Sequence, residues 1–138
     1  MWTKLEIAMV VAVVAGTPAY SRASAAETLE AENGRALFVT YCASCHGGSG
    51  HGDGPVAAGL RVKPADLSQF AKKNGGRFPM EKTRRIIDGR EVGPHGTFEM
   101  PVWGDAFTKR DGLSEEAARA RIEALVRYLD SIQERLGH

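Results

Sequence analysis

The run Cys42-Ala43-Ser44-Cys45-His46 places two thiols and an imidazole at positions i, i+3 and i+4, which share one face of a helix. This C-x-x-C-H spacing suits the covalent capture of a porphyrin. Each thiol adds across one vinyl group to form a thioether, and the imidazole becomes the proximal ligand of the iron. The expected cofactor is one haem c, attached through Cys42 and Cys45. Two other chemistries use a similar pair of cysteines. A thioredoxin-like redox motif belongs beside a βαβ pattern, and structural zinc takes four protein ligands from paired clusters. Cys42 and Cys45 are the only cysteines of the chain, and no alternating strand pattern accompanies them.

A proximal histidine leaves one iron position for protein, water or a gas. Met100, Met80, His51, His95, His138 and a lysine are the candidates. Met100 precedes Pro101, which restricts residue 100 to extended conformations and removes a backbone donor, so its thioether sits on a stiff, non-helical segment. Met80 falls in the first turn of an amphipathic helix, where methionine is core material. His51 follows His46 by five residues in a glycine-rich loop, a short tether for reaching the other haem face. Met100 leads, with His95 as its main competitor. His46 and Met100 together would fill the coordination sphere and leave an iron that exchanges one electron.

Supporting residues follow from the same chemistry. A ligating histidine gives its second ring N–H to a carbonyl; Pro55, in Gly52-Asp53-Gly54-Pro55, is the first choice for that carbonyl and Pro64 the alternative, with a plain turn as the other reading. Trp103 either covers the haem and reaches a propionate with its indole N–H, or packs in the core. Arg61 and Lys63 could neutralise propionates or extend into solvent.

The elements that must position these groups are helical. Leu37, Phe38 and Tyr41 lie at helical spacing within 29–41, a segment that runs into the haem motif, with Gly34 one turn before Phe38. Ser114-Glu115-Glu116 opens a second helix, with Ser114 as its cap and two acids at the positive end of its dipole. Ala118, Ile122, Leu125, Val126, Leu129 and Ile132 form its apolar stripe, Arg127 and Arg135 lie toward the end that favours cations, and Gly137 suits its stop. Two shorter helices are expected at 66–73, stopped by Asn74-Gly75-Gly76, and at 80–88, after Pro79 and before Gly89. The class is all-α, with three to five helices around one haem.

Lys4, the apolar run 7–15, Gly16-Thr17-Pro18 and Ala23-Ser24-Ala25 follow the order of a secretory signal. Cleavage after residue 25 would leave 26–138 as one monohaem domain outside the cytoplasm, expected in the periplasm; an uncleaved anchor is the other reading. The apolar core is shorter than the roughly 20 residues of a membrane span, and no other segment could cross a bilayer. The remaining chain is neutral, since the leader takes Lys4, Arg22 and Glu6 with it. Its charge is uneven: residues 61–90 hold nine basic groups against Asp66, Glu81 and Asp88, and both flanking segments are acidic. A solvated face is the simpler reading and a docking surface the other. Nothing resembles a nucleic-acid arm.

The chain resembles the class I c-type cytochromes, in particular the small bacterial monohaem group similar to the cytochrome domain of the third subunit of cbb3-type oxidases. The resemblance runs over about 29–132. It rests on Cys42-Ala43-Ser44-Cys45-His46, Gly52-Asp53-Gly54-Pro55, Pro64-Ala65-Asp66-Leu67, Gly96-Thr97-Phe98-Glu99-Met100-Pro101-Val102-Trp103-Gly104 and Leu125-Val126-Arg127-Tyr128-Leu129. It implies thioethers at Cys42 and Cys45, axial His46 and Met100, and a Pro55 carbonyl on the His46 ring. It also implies a crossing of Gly34 and Phe38 against Leu125 and Tyr128. Glu91-Val92-Gly93-Pro94-His95 departs from the shortest members of the group and keeps His95 open as a ligand. The expected function is periplasmic electron transfer to and from redox partner proteins, by a monomer or a subunit of a respiratory or dehydrogenase complex, without enzymatic activity of its own. The alternatives are a gas-binding or peroxidase-like haem protein with a labile distal ligand, and a haem-free protein with a Cys42–Cys45 disulfide.

Overall fold

The computed structural model describes residues 33–91 and 100–134. The leader, residues 29–32 of the expected first helix, residues 94–96 before the methionine, Arg135, Gly137 and His138 lie outside the described residues. Within them the chain is helical and carries no strand. Residues 33–41 form α1, followed by α2 (Ala43–His46), α3 (Phe70–Lys73), α4 (Met80–Asp88), α5 (Trp103–Asp105) and α6 (Glu115–Ser131). Short 3₁₀ turns cover Ala57–Gly59 and Leu67–Gln69.

Each element ends where local chemistry requires it. The Ser114 hydroxyl accepts from the Ala117 N–H at 3.2 Å and caps α6. Gly89, at φ +75°, closes α4 with its N–H on the Arg85 carbonyl. The segment from Asp66 is less regular than its sequence suggests. Asp66 caps the 3₁₀ turn by accepting from Ser68 N–H, and only 70–73 are α-helical before Gly75 and Gly76 take positive φ.

The apolar stripe of α6 is the spine of the core. Ala118, Ile122, Leu125, Val126 and Leu129 are buried, together with Phe38 of α1, Ile87 of α4, and Trp103 and Phe107. Helix α1 meets α6 where Gly34 removes a side chain: a Cβ there would overlap the Ala124 carbonyl oxygen and stand 2.7 Å from Tyr128 Cβ. One turn on, the Phe38 and Tyr128 rings lie 5.2 Å apart. The expected close approach of the terminal helices is present, with Ala124 rather than Leu125 opposite the glycine.

Pro101 and Gly104 suggest a loop, yet helix runs from Trp103 through a π turn at Ala106–Arg110, where the Asp111 N–H reaches back to the Ala106 carbonyl. Trp103 and Phe107, one turn apart, bury their rings against each other and against Tyr41. Gly104 is tolerated because its open face lies against the Asp88 and Arg90 side chains, where a Cβ would collide with both. Packing overrides propensity here.

Two of the nine basic groups of 61–90 are tied to acids of α6. Arg84 pairs with Glu81 and with Glu123 of α6, and Arg90 pairs with Asp88 and Glu115. Glu115 and Glu123 of the acidic flank thus meet Arg90 and Arg84 of the basic segment where α4 and its end pack on α6.

Candidate functional site

Helix α1 delivers the chain to the C-x-x-C-H run without a loop. The Cys42 N–H donates to the Phe38 carbonyl at 2.8 Å, and the Cys42 carbonyl accepts from the Cys45 and His46 N–H groups. Gly47, at φ +79°, ends this turn. The one-face arrangement expected from spacing is realised: Cys42, Cys45 and His46 line a single cleft. The other walls come from Tyr41, from Leu60, Val62, Lys63, Pro64 and Ala65, and from Met100, Pro101 and Trp103.

The electrostatics of the cleft suit neutral ligands. Burial, reinforced by neighbouring Cys45, pushes the Cys42 thiol up to about 12. That is opposite to the lowered pKa of a redox C-x-x-C thiol. Both thiols are free. Burial also lowers the His46 pKa, against a smaller opposing effect of its hydrogen bond to the Ala65 carbonyl. The ring is therefore neutral, with Nδ1 donating to Ala65 O at 3.1 Å and the Nε2 lone pair left for a metal.

That carbonyl belongs to Ala65, which corrects the expectation of Pro55 and also its alternative, Pro64. The physical reason lies in how the glycine-rich loop folds. Gly54 N–H donates to the Cys45 carbonyl and Val56 N–H to the Ser44 carbonyl, so Pro55 is held along the backbone of the motif helix. Gly54 sits so close that a Cβ would meet the Cys45 carbonyl carbon at 2.6 Å. The same loop docks the segment that reaches the ring: Leu67 N–H donates to the Gly50 carbonyl at 2.7 Å, and Gly52 packs on the Pro64 carbonyl where no side chain fits.

The other expected residues divide. Met100 lines the cleft with His46. Trp103 lines it too, at 6% exposure, and belongs equally to the core. Lys63 lines the cleft, whereas Arg61 is exposed and does not. Met80 packs against the core, and His51 lies with Ser68 and Asp66. Leu60 and Val62 carry no sequence signal, and Tyr41 and Pro101 are read from sequence only as helix face and backbone stiffener, not as cleft walls; the position of Tyr41 immediately before Cys42 is the signal that could have found it. The Tyr41 hydroxyl reaches Asp111 and Arg121, which anchors this wall to the far end of the π turn.

The donor set fits a haem c. Two thiols, a neutral imidazole and a thioether converge on walls of aliphatic, proline and aromatic side chains, which fits an apolar macrocycle with a central iron. Zinc fits less well: among the described residues no group of three or more His, Cys, Asp and Glu side chains is placed to hold a metal ion. No helix of the described residues is long and apolar enough to cross a membrane. No curated protein and no solved structure matches the chain. A family model does match, over residues 29–129. The helical fold, the C-x-x-C-H turn and this match agree, and the chain belongs to the family of cytochrome c oxidase, cbb3-type, subunit III, whose domain is a class I c-type cytochrome.

Proposed function

We propose that the chain carries one electron at a time on a single haem c, held through Cys42 and Cys45 and ligated by His46 and Met100, in the periplasm after loss of residues 1–25. It acts as a free carrier or as the cytochrome subunit of a respiratory or dehydrogenase complex. Family membership supports haem-based electron transfer in general. The observation that carries the finer reading is the shared cleft of Cys42, Cys45, His46 and Met100.

Haem c supplies a one-electron couple. The protein supplies everything that sets that couple's behaviour. Cys42 and Cys45 would hold the haem, the Ala65 carbonyl orients the His46 ring and raises its basicity, and the soft Met100 thioether would favour the ferrous state. Tyr41, Leu60, Val62, Pro64, Pro101 and Trp103 give the site an apolar lining, which would limit reorganisation around a bound haem when its charge changes.

Replacement of Met100 by Ala tests the reading. The unmodified ferric protein should show a methionine-to-iron charge-transfer band in the far red; Met100→Ala should lose it and have a lower midpoint potential. Persistence of the band would refute the ligand. Rapid carbon monoxide binding by the untreated ferrous protein would instead support a gas-binding protein with a labile sixth ligand.

A further inference from the structure

The residue after Ala65, whose carbonyl meets the His46 ring, is an aspartate that caps the next turn. Asp66 accepts from the Ser68 N–H at 3.0 Å and from the Ser68 hydroxyl at 2.6 Å. Ser68 is 1% exposed, and its oxygen lies 3.2 Å from His51 Nδ1, which is itself 3.5 Å from the Asp66 carboxylate. A serine hydroxyl has one proton. The shorter contact takes it to Asp66, so the Ser68 oxygen accepts from His51, whose proton is then on Nδ1. The Ser68 hydroxyl foremost, and His51 beside it, hold the Asp66 carboxyl below its ordinary range, so it is ionised.

We propose that Asp66 is a positioning residue for the iron ligand: its cap on Ser68 fixes the turn that presents the Ala65 carbonyl to His46 Nδ1, and its carboxylate adds a negative charge one residue from that carbonyl, which His51, acting through Ser68, offsets. The inference rests on the haem reading above and adds a control of the iron to it. The carbonyl and the carboxylate both make the imidazole a stronger electron donor and favour the ferric state. Asp66 therefore lowers the midpoint potential, and the His51 N–H raises it. The contacts around Asp66 place this control on a loop that the glycine turn 50–52 has already docked.

The experiment is a spectroelectrochemical titration of the haem-loaded protein and two variants, Asp66→Asn and His51→Ala. An amide oxygen can still accept the Ser68 N–H, so Asp66→Asn removes charge and keeps the cap. Its midpoint should rise, and that of His51→Ala should fall. A loop that served only as a scaffold would loosen in both variants and move both midpoints in one direction. Shifts of the same sign, or none, would overturn the inference. Should Asp66→Asn not assemble, the exposed His51 decides alone: a fall supports, and a rise or no change overturns. Absence of haem from the unmodified protein would remove the functional reading and this inference together, whereas a loaded protein with unmoved potentials removes only this one.

Discussion

Replacement of Gly34 by Ala tests whether the α1–α6 contact holds the haem motif in place. Inside a helix, Gly→Ala is favourable by about 1 kcal/mol. Here the new methyl would overlap the Ala124 carbonyl oxygen, stand 2.7 Å from Tyr128 Cβ and stand 2.9 Å from the Ala124 carbonyl carbon. Overpacking of a filled site costs roughly 1–3 kcal/mol, and the upper half of that range applies because helix backbone cannot rotate away. The propensity gain offsets part of this, leaving a net loss of about 1–2 kcal/mol. With a urea dependence of about 2 kcal/mol per molar, the middle of the usual range, the unfolding midpoint should fall by roughly 0.5–1 M at unchanged slope. Gly48→Ala is the control. Gly48 has no positive φ and nothing within 4 Å of its would-be Cβ, so the same substitution should be neutral or stabilising by up to about 1 kcal/mol. Because α1 runs into Cys42 through the hydrogen bond to Phe38, the displaced helix should also weaken the far-red methionine band before global unfolding. A Gly34→Ala protein as stable as the parent, with Gly48→Ala no better, would refute the close approach.

Three further outcomes follow from particular contacts. Gln133 is buried and bonds the Ala71 N–H and the Leu67 and Leu129 carbonyls, so Gln133→Ala should cost about 1–3 kcal/mol by orphaning backbone groups, measured by thermal or urea unfolding. Ser114→Ala should cost about 1 kcal/mol through loss of the α6 cap, with amide exchange at Ala117 accelerated most. The carboxyls of Asp66 and Asp88 are held low, foremost by the Ser68 hydroxyl and the Arg90 guanidinium respectively. The unfolded chain therefore binds their protons first, so their stabilisation is complete above the ordinary carboxylate pKa of about 3.9 and is lost as pH falls through the folded values. Unfolding scans should show a flat neutral region and an acid limb whose slope shrinks in Asp88→Asn; an unchanged slope counts against the pair.

What the sequence revealed and what it hid divide along the line between local and distant contacts. The C-x-x-C-H turn, the Ser114 cap and the α6 stripe are legible because each depends on residues within one or two helical turns. The partner of His46 was misplaced for the opposite reason. A carbonyl has no side-chain signature, and the one that reaches Nδ1 is chosen by how loop 47–54 stacks on loop 64–67. Sequence points to Pro55 and Pro64; Ala65 emerges only because Gly52 lies on Pro64, a contact that exists because no Cβ intervenes. The helix at Trp103 was hidden by Gly104 in the same way. Its glycine marks a collision avoided with Asp88 and Arg90, whose own pairing with Glu115 ties α4 to α6. At Gly34, Gly52 and Gly104, a missing side chain marks where distant backbone or side chains must approach. At Gly52 that approach positions the iron ligand: a Cβ on Gly52 would push on Pro64 and so move the Ala65 carbonyl from the His46 ring.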